Sequence, residues 1–378
     1  MPEIRILEVV TKQNRERFID LAFQVYKGEP GWIPMLRGDV AAYLSPETNG
    51  FLGNGPFTVL LAERGGRVVA RVVAGVDEKS NRIRNVRNGW FSLFECLPGE
   101  EEAAKSLMDR VASWLKEKGC EKATGPVSPN GGDEFKGFLE KGRDYPAPYL
   151  CSWNPEWYTG FFQKLGYTEI HRLFGFRADI KNIPLERYSR VVAYAKERYG
   201  FRVDPIDLDH LERDLNDIGH VLEEAILESW EDLTPPSIDE LRKQAESLRK
   251  VADPGLIMIA RRTSDGRPIG FDLILPDYGD VLRHLNGRMG PIGALKFLYY
   301  KRKIDGVRGF AQFVVPEYKH KGVMSAILLD VFLCGLKKGY VWGDCSTVGE
   351  ENDPSLANIQ SIGAKLYKEY WLMSRDLR

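Results

Sequence analysis

The chain lacks most of what commonly announces a function. It has almost no excess charge: 53 Lys and Arg stand against 54 Asp and Glu, a formal net charge of −1 over 378 residues. No global field draws it to nucleic acid or to an anionic membrane, which leaves room only for a local patch. Its five cysteines, Cys96, Cys120, Cys151, Cys334 and Cys345, form no C-x-x-C pair. An odd, scattered set reads as buried thiols in a reducing compartment. The five histidines, His171, His210, His220, His284 and His320, show no ligand spacing, so no metal is expected. There is no Gly-x-Ser-x-Gly elbow and no Walker loop. The longest apolar helical stretch, Val323–Leu336, contains Asp330 and is too short to cross a bilayer. The opening run MPEIRILEVV carries charges among its apolar residues and no small-residue cleavage site, so it does not read as a signal peptide. A cytoplasmic protein with no membrane and no nucleic-acid partner is expected.

What is present is enough apolar residue for two cores. The length exceeds the usual size of one core, and 43% hydrophobic residues with eight Trp suit packed globular domains. The most informative stretch is Phe310–Leu328, FAQFVVPEYKHKGVMSAIL. A β-branched and aromatic run ends at Pro316, a turn carries Lys319, His320 and Lys321, and Gly322 opens an apolar helix. A helix start presents unpaired N–H groups and the positive end of the dipole, which suits a phosphate. Around it lie strands at Leu256–Arg261 and Pro268–Leu275 joined at Ser264-Asp265-Gly266, a strand at Tyr340–Cys345, a helix near Pro354–Tyr367 and a strand near Tyr370–Ser374.

The first half reads in the same order. Ile4–Val10 is a strand and Asn14–Tyr26 a helix; Thr58–Glu63 and Arg67–Val76 form a hairpin about Gly65-Gly66. Gly89–Cys96 is a strand, and Glu100–Lys118 a helix with Ala104, Leu107, Met108, Val111 and Leu115 in a stripe. Then come strand Cys120–Gly125, a polar loop to about Tyr149, helix Pro155–Leu165 and strand Ile170–Ala178. Leu185–Tyr199 is an amphipathic linking helix. Where the second half has a basic turn, the first has Glu100, Glu101 and Glu102, which favour the helix dipole and repel an anion. Ile292–Lys303 reads as a helix with Arg302 and Lys303 on a polar face.

Both halves resemble the GNAT superfamily of acyl-CoA-dependent N-acyltransferases, and nearly the whole chain is similar to uncharacterised bacterial proteins with tandem GNAT-like halves. The family's pyrophosphate turn, Gln/Arg-x-x-Gly-x-Gly/Ala, is matched by Lys319, Lys321-Gly322 and Val323-Met324, with Met324 where a small residue is usual. Matching stretches for the tandem group include Trp153-Asn154-Pro155 with Tyr158, Val315-Pro316-Glu317-Tyr318, Glu350-Glu351-Asn352 and Gly363–Lys368. The resemblance implies an α/β fold with mixed sheets in two tandem GNAT-like domains: residues 1–180, a linking helix at 181–200, and residues 201–378. It implies acetyl-CoA or another acyl-CoA as cosubstrate, bound by Gln312, Phe313, Val314, Val315, Lys319, His320, Lys321, Gly322, Val323, Met324 and Asn352. The first half is expected not to bind it.

In the family the two central strands splay and the thioester lies between them. Asp344, an acid inside a strand, or Glu350 or Glu351 is then a candidate general base, and Ser346 or Tyr367 a candidate proton donor. The family's usual Tyr is absent: Ile359 stands four residues before Gly363. Met324 is expected to crowd the phosphate. The acceptor implied is an amine of a small molecule or peptide. The rival expectations are a GNAT pair that binds a ligand without turnover, and a transferase using another donor, such as aminoacyl-tRNA.

Overall fold

The structure is a computed structural model that describes residues 2–229, 236–249 and 251–377. Its strands are β1 (Ile4–Glu8), β2 (Phe57–Arg64), β3 (Arg67–Val76), β4 (Asn88–Cys96), β5 (Lys122–Gly125), β6 (Phe138–Lys141), β7 (Thr168–Asp179), β8 (Phe201–Pro205), β9 (Ile257–Arg262), β10 (Pro268–Pro276), β11 (Gly306–Val314), β12 (Trp342–Gly349) and β13 (Lys365–Asp376). Its helices are α1 (Lys12–Val25), α2 (Arg37–Tyr43), α3 (Glu78–Arg84), α4 (Glu101–Glu117), α5 (Trp157–Lys164), α6 (Leu185–Tyr199), α7 (Leu211–Ser229), α8 (Ile238–Leu248), α9 (Gly279–Leu285), α10 (Pro291–Lys301), α11 (Val323–Lys338) and α12 (Asp353–Ser361). The chain divides into two compact units. The first comprises Met1–Phe174, Gly279–Arg302 and Lys368–Arg378; the second comprises Gly175–Tyr278 and Lys303–Tyr367.

The sheet of the first unit runs β1-β2-β3-β4-β5-β13, with β6 also paired to β13. Only β4 and β5 are parallel among these registered pairs. Beyond its first residue β3 is buried throughout, because α1 and α4 both pack on it. The stripe read from the sequence of α4 forms the core: Ala104, Leu107, Met108, Val111 and Leu115 are fully buried.

The second unit runs β8-β9-β10-β11-β12, with β7 beside β12. β11 and β12 are parallel, and the β8-β9-β10-β11 pairs are antiparallel. α7 and α11 both pack on β10, and α6 packs on α11. α11 is apolar almost all round, and eight of its residues are buried, which explains why its sequence shows a run rather than a stripe.

The units do not follow the two halves of the chain. The sequence assigns Ile170–Ala178 to the first domain and Tyr370–Ser374 to the second. Instead β13 pairs with β5 in the first unit, Met373 opposite Gly125, while Gly175–Asp179 of β7 belongs to the second. Alternation along a strand shows which side chains face a core, but not which sheet edge receives the strand. The two compact units thus differ from the expected boundaries at 180 and 201, and the α9–α10 segment groups with the first unit. The helix expected to reach Tyr367 stops at Ser361, because Gly363 adopts a left-handed φ of 76°. Tyr367 therefore lies on β13. The loop after β5 contains β6, whose Leu139 N–H donates to the side chain of Asn154 at 2.6 Å.

Candidate functional site

The site begins with a defect in β11. Opposite β10 the register passes from Leu273/Ala311 to Ile274/Gly309, so Phe310 is the extra residue of a bulge. A bulge bends its strand and raises the local twist. The parallel ladder to β12 ends at this point: it runs from Gly306/Trp342 to Gly309/Cys345, although both strands continue. Past the bulge the chain reaches a single 3-10 turn, Pro316–Tyr318, then His320 at φ 63° and Gly322 at φ 77°, and enters α11. No side chain caps α11. Its first-turn amides are thus left to backbone, solvent or ligand.

Where the strands part, four polar side chains meet. Asp344 is buried, and its Oδ2 accepts from the Tyr367 hydroxyl at 2.6 Å and from the Ser346 hydroxyl at 3.0 Å. Arg308, also buried, stands with Nε 3.6 Å from Asp344 Oδ1, and its Nη2 donates to the Ser346 carbonyl at 3.1 Å. Burial pushes the Asp344 carboxyl up to about 6; Arg308 and the two hydroxyls hold it from rising further. It is thus ionised near neutral pH yet basic enough to take a proton. On β10 the buried Asp272 accepts from Gln312 at 3.4 Å, and burial lifts its carboxyl to about 8. The Cys345 thiol is driven far up by burial and by both carboxylates, so it stays protonated and is no nucleophile. Asp344 and Gln312 also line a narrow cavity of about 30 Å³, walled mainly by apolar residues such as Ile274, Leu328, Phe332, Ile359 and Ile362.

The other expected site residues fall into place around this. Phe313 is buried against Phe271, with ring centroids 5.7 Å apart, and Val315 is fully buried, so only their backbone is available. Val314 is half-buried. Val323 lies in the core, and the half-buried Met324 packs against it. His320 is exposed, Lys319 is half-buried, and Lys321 leans over the rings of Tyr318 and Tyr199, at 4.8 and 5.7 Å. Gly322 is explained first by packing: a Cβ there would come within 2.9 Å of Ala195 on α6. Glu350 and Glu351 are exposed after β12, and Asn352 caps α12 by accepting from the Ser355 N–H at 3.2 Å.

Arg308 and Asp272 were missed, and the signal that found Asp344 would have found them. Each is a charged residue inside an otherwise apolar strand. The same signal marks Glu95 and Arg71 in the first unit. Glu95 accepts from Tyr26 at 2.7 Å and Tyr158 at 3.0 Å, with Arg71 3.9 Å away, and burial raises its carboxyl to about 7.

No protein-family model matches the chain. A tandem GNAT protein from the clavulanic acid biosynthesis pathway superposes over all of this chain and 99% of its own, with a TM-score of 0.61 at 11% identity. The chain has the tandem GNAT fold. Curated proteins similar to this chain include bacterial ceramide synthase of Caulobacter vibrioides, 26% identical over an alignment of 389 residues that covers 99% of this chain and 98% of that protein. Protein YghO of Escherichia coli is 23% identical, covering 97% and 94%. Among the described residues no helix is long and apolar enough to cross a membrane, and no cluster of His, Cys, Asp and Glu is arranged to hold a metal ion.

Proposed function

We propose that this tandem GNAT protein is an acyl-CoA-dependent N-acyltransferase whose second unit carries the chemistry. The observation that carries the reading is the parting of β11 from β12 at the Phe310 bulge, directly beside a buried Asp344 that accepts from the half-buried Tyr367, and ahead of an uncapped helix start. The residues fit the cosubstrate. Amides of the turn and of α11 would hold the diphosphate, with Lys319 and Lys321 adding charge. The released strand edges would hold the amide-bearing arm, and the apolar cavity would take the acyl chain. The cavity is narrow, so binding must widen it.

An ammonium acceptor loses one proton before attack and one after. In this reading Asp344 accepts the first and passes it to solvent. The amine nitrogen then bonds to the thioester carbon and the carbon–sulfur bond breaks. Tyr367 donates its proton to the departing thiolate and recovers one through Asp344 from the new amide nitrogen. Arg308 keeps Asp344 anionic and oriented. The likeness to a ceramide synthase over the full length, together with the apolar cavity wall, favours a fatty acyl donor and a long-chain amino alcohol as acceptor.

Binding without turnover is the rival reading, favoured by the narrowness of the cavity. Two measurements separate them. Saturation with palmitoyl-CoA at a hundredfold excess over the dissociation constant adds about 2.7 kcal/mol of stability, seen as a raised Tm. Thiol release on adding a long-chain amino alcohol then reports turnover. A shift without thiol release against a broad amine panel supports the rival; no shift with any acyl-CoA overturns both.

A further inference from the structure

The α9–α10 hairpin of the first unit carries a feature that the acyltransferase reading leaves unused. The sequence suggests a polar outer face for α10. Instead Ile292, Leu295, Leu298 and Tyr299 are exposed at 72%, 69%, 58% and 57%. Positions 292, 295 and 299 show an i, i+3, i+7 spacing and 298 lies beside them, so they form one stripe. The inward side is occupied already: Gly293 is buried, its Cβ position 2.6 Å from the Arg288 carbonyl, and Tyr300 stacks on His284 at 3.6 Å. The hairpin is anchored rather than loose. Gly287, at φ 76°, lies so close to Phe23 of α1 that a Cβ would come within 2.4 Å, and its carbonyl accepts from the Arg37 N–H at 3.0 Å. A rigid helix thus holds an apolar stripe outward.

The charge around the stripe says what it would meet. The hairpin is flanked by Asp280, which pairs with Arg283 at 3.0 Å, and by Asp305; between them Arg288, Lys296, Lys301, Arg302 and Lys303 stand with no Asp or Glu, in a chain whose net charge is −1. Arg288 precedes the helix, Lys296 lies beside the stripe, Arg302 stands just past its end, and all three are exposed. An apolar stripe edged by Lys and Arg is the pattern of a helix lying in the plane of an anionic bilayer surface, with side chains among the acyl chains and cations at the headgroups. We propose that α10 docks the protein on anionic membranes. The proposal departs from the expectation of no membrane partner only for a peripheral helix, and it does not depend on the acyltransferase reading.

The test is flotation of the full chain with vesicles of phosphatidylcholine alone and vesicles containing roughly one third phosphatidylglycerol. The expected result is binding to the anionic vesicles that weakens as salt rises. Leu295→Asp with Leu298→Asp should lower partitioning about tenfold or more. Lys296→Glu with Arg302→Glu should lower it and flatten the salt dependence. Both pairs are exposed, and unchanged thermal unfolding shows that the fold is intact. No binding to either vesicle overturns the proposal, as does binding that both double variants retain. A concentration-dependent dimer that Leu295→Asp with Leu298→Asp dissolves, without vesicle binding, assigns the stripe to a second copy of the chain and equally overturns it.

Discussion

In the first unit Glu95 lies under the hydroxyls of Tyr26 and Tyr158 with Arg71 nearby; in the second, Asp344 lies under those of Ser346 and Tyr367 with Arg308 nearby. The buried chemistry is similar and the surroundings are not. Beyond the β4–β5 ladder the first unit is bridged: the Val127 N–H donates to the Phe91 carbonyl at 2.9 Å, and the Ser92 hydroxyl to the Val127 carbonyl at 2.6 Å. The β11–β12 ladder stops at the bulge. The helix starts are opposite in charge. Glu100 and Glu102 precede and open α4, both tied to Arg64, whereas a Lys-His-Lys-Gly turn leads into α11. A buried carboxylate beside a tyrosine thus occurs in both units and does not by itself tell them apart. What differs is the bridging by Val127 beyond the parallel ladder of the first unit and the charge at the two helix starts.

The sharpest way to break this comparison is to neutralise each carboxylate. Asp344→Asn should lower kcat by on the order of 10²–10⁴, the usual range for a general base. Glu95→Gln should leave kcat within about threefold. Equal losses would mean that both units take part in the reaction, or that neither carboxylate does. The pH profile rests on the same group. A base must be ionised to act, so with Asp344 near 6 the rate should climb as pH rises through about 6 and level off above. Tyr367→Phe should lower kcat by about 10–100-fold and shift that limb to a different pH, because the hydroxyl helps to hold the carboxylate in its charged form.

Next in size is the anion site. Lys321→Glu should raise the apparent Kd for an acyl-CoA about tenfold or more, with a Tm in the absence of ligand within a few degrees of the parent. Its counterpart, Glu101→Lys with Glu102→Lys, should not create a second binding event, because beyond the β4–β5 ladder Val127 bridges back to Phe91 and Ser92 in the first unit. A stoichiometry of two by calorimetry in that variant would show that charge alone separates the units.

How much of this the sequence discloses depends on the range of the interaction. Local patterns were legible: the stripe of α4, the hairpins, the limits of α6, and the basic turn before α11 with Gly322 at its hinge. Asp344 was legible as a charge inside a strand, and Tyr367 as a candidate partner. Their joining was not, because Tyr367 was placed in a helix that Gly363 ends early. The bulge at Phe310 is set by the register against β10, a relation between residues some forty apart that no local pattern records. The exchange of β7 and β13 is of the same kind. Glu350 and Asn352 are legible only as polar residues after a strand; the fold puts one on an exposed turn and the other at a helix cap.

Smaller effects test the two helix entrances as pieces of structure. Both Gly99 and Gly322 hold left-handed φ, 80° and 77°. A Cβ at Gly99 meets nothing within 4 Å, whereas at Gly322 it meets Ala195 at 2.9 Å. Gly99→Ala should therefore cost only the backbone strain, about 1 kcal/mol, and Gly322→Ala roughly 1–2 kcal/mol more. Urea unfolding checks the order. Equal costs would show that α6 yields at Ala195, and hence that the entrance to α11 is less tightly built than its packing indicates.

The last comparison sets Asp272 against Asp344. Both are buried on strands of the second unit, but only Asp344 has an arginine facing it, and Asp272 Oδ1 meets no hydrogen-bond donor among the described residues. Its carboxyl accordingly sits at about 8, above its ordinary 3.8. Between those two values the folded form keeps a proton that the unfolded chain releases, so this group makes stability fall as pH rises from about 4 to about 8. Asp272→Asn removes the dependence. It should be at least as stable as the parent at pH 9, by on the order of 1–3 kcal/mol, with the advantage shrinking as pH falls toward 4. Unfolding followed at several pH values reads the sign directly. A stability gap that does not change with pH would mean that Asp272 is already ionised in the fold, with its charge met by a donor such as Gln312 that closes in from 3.4 Å.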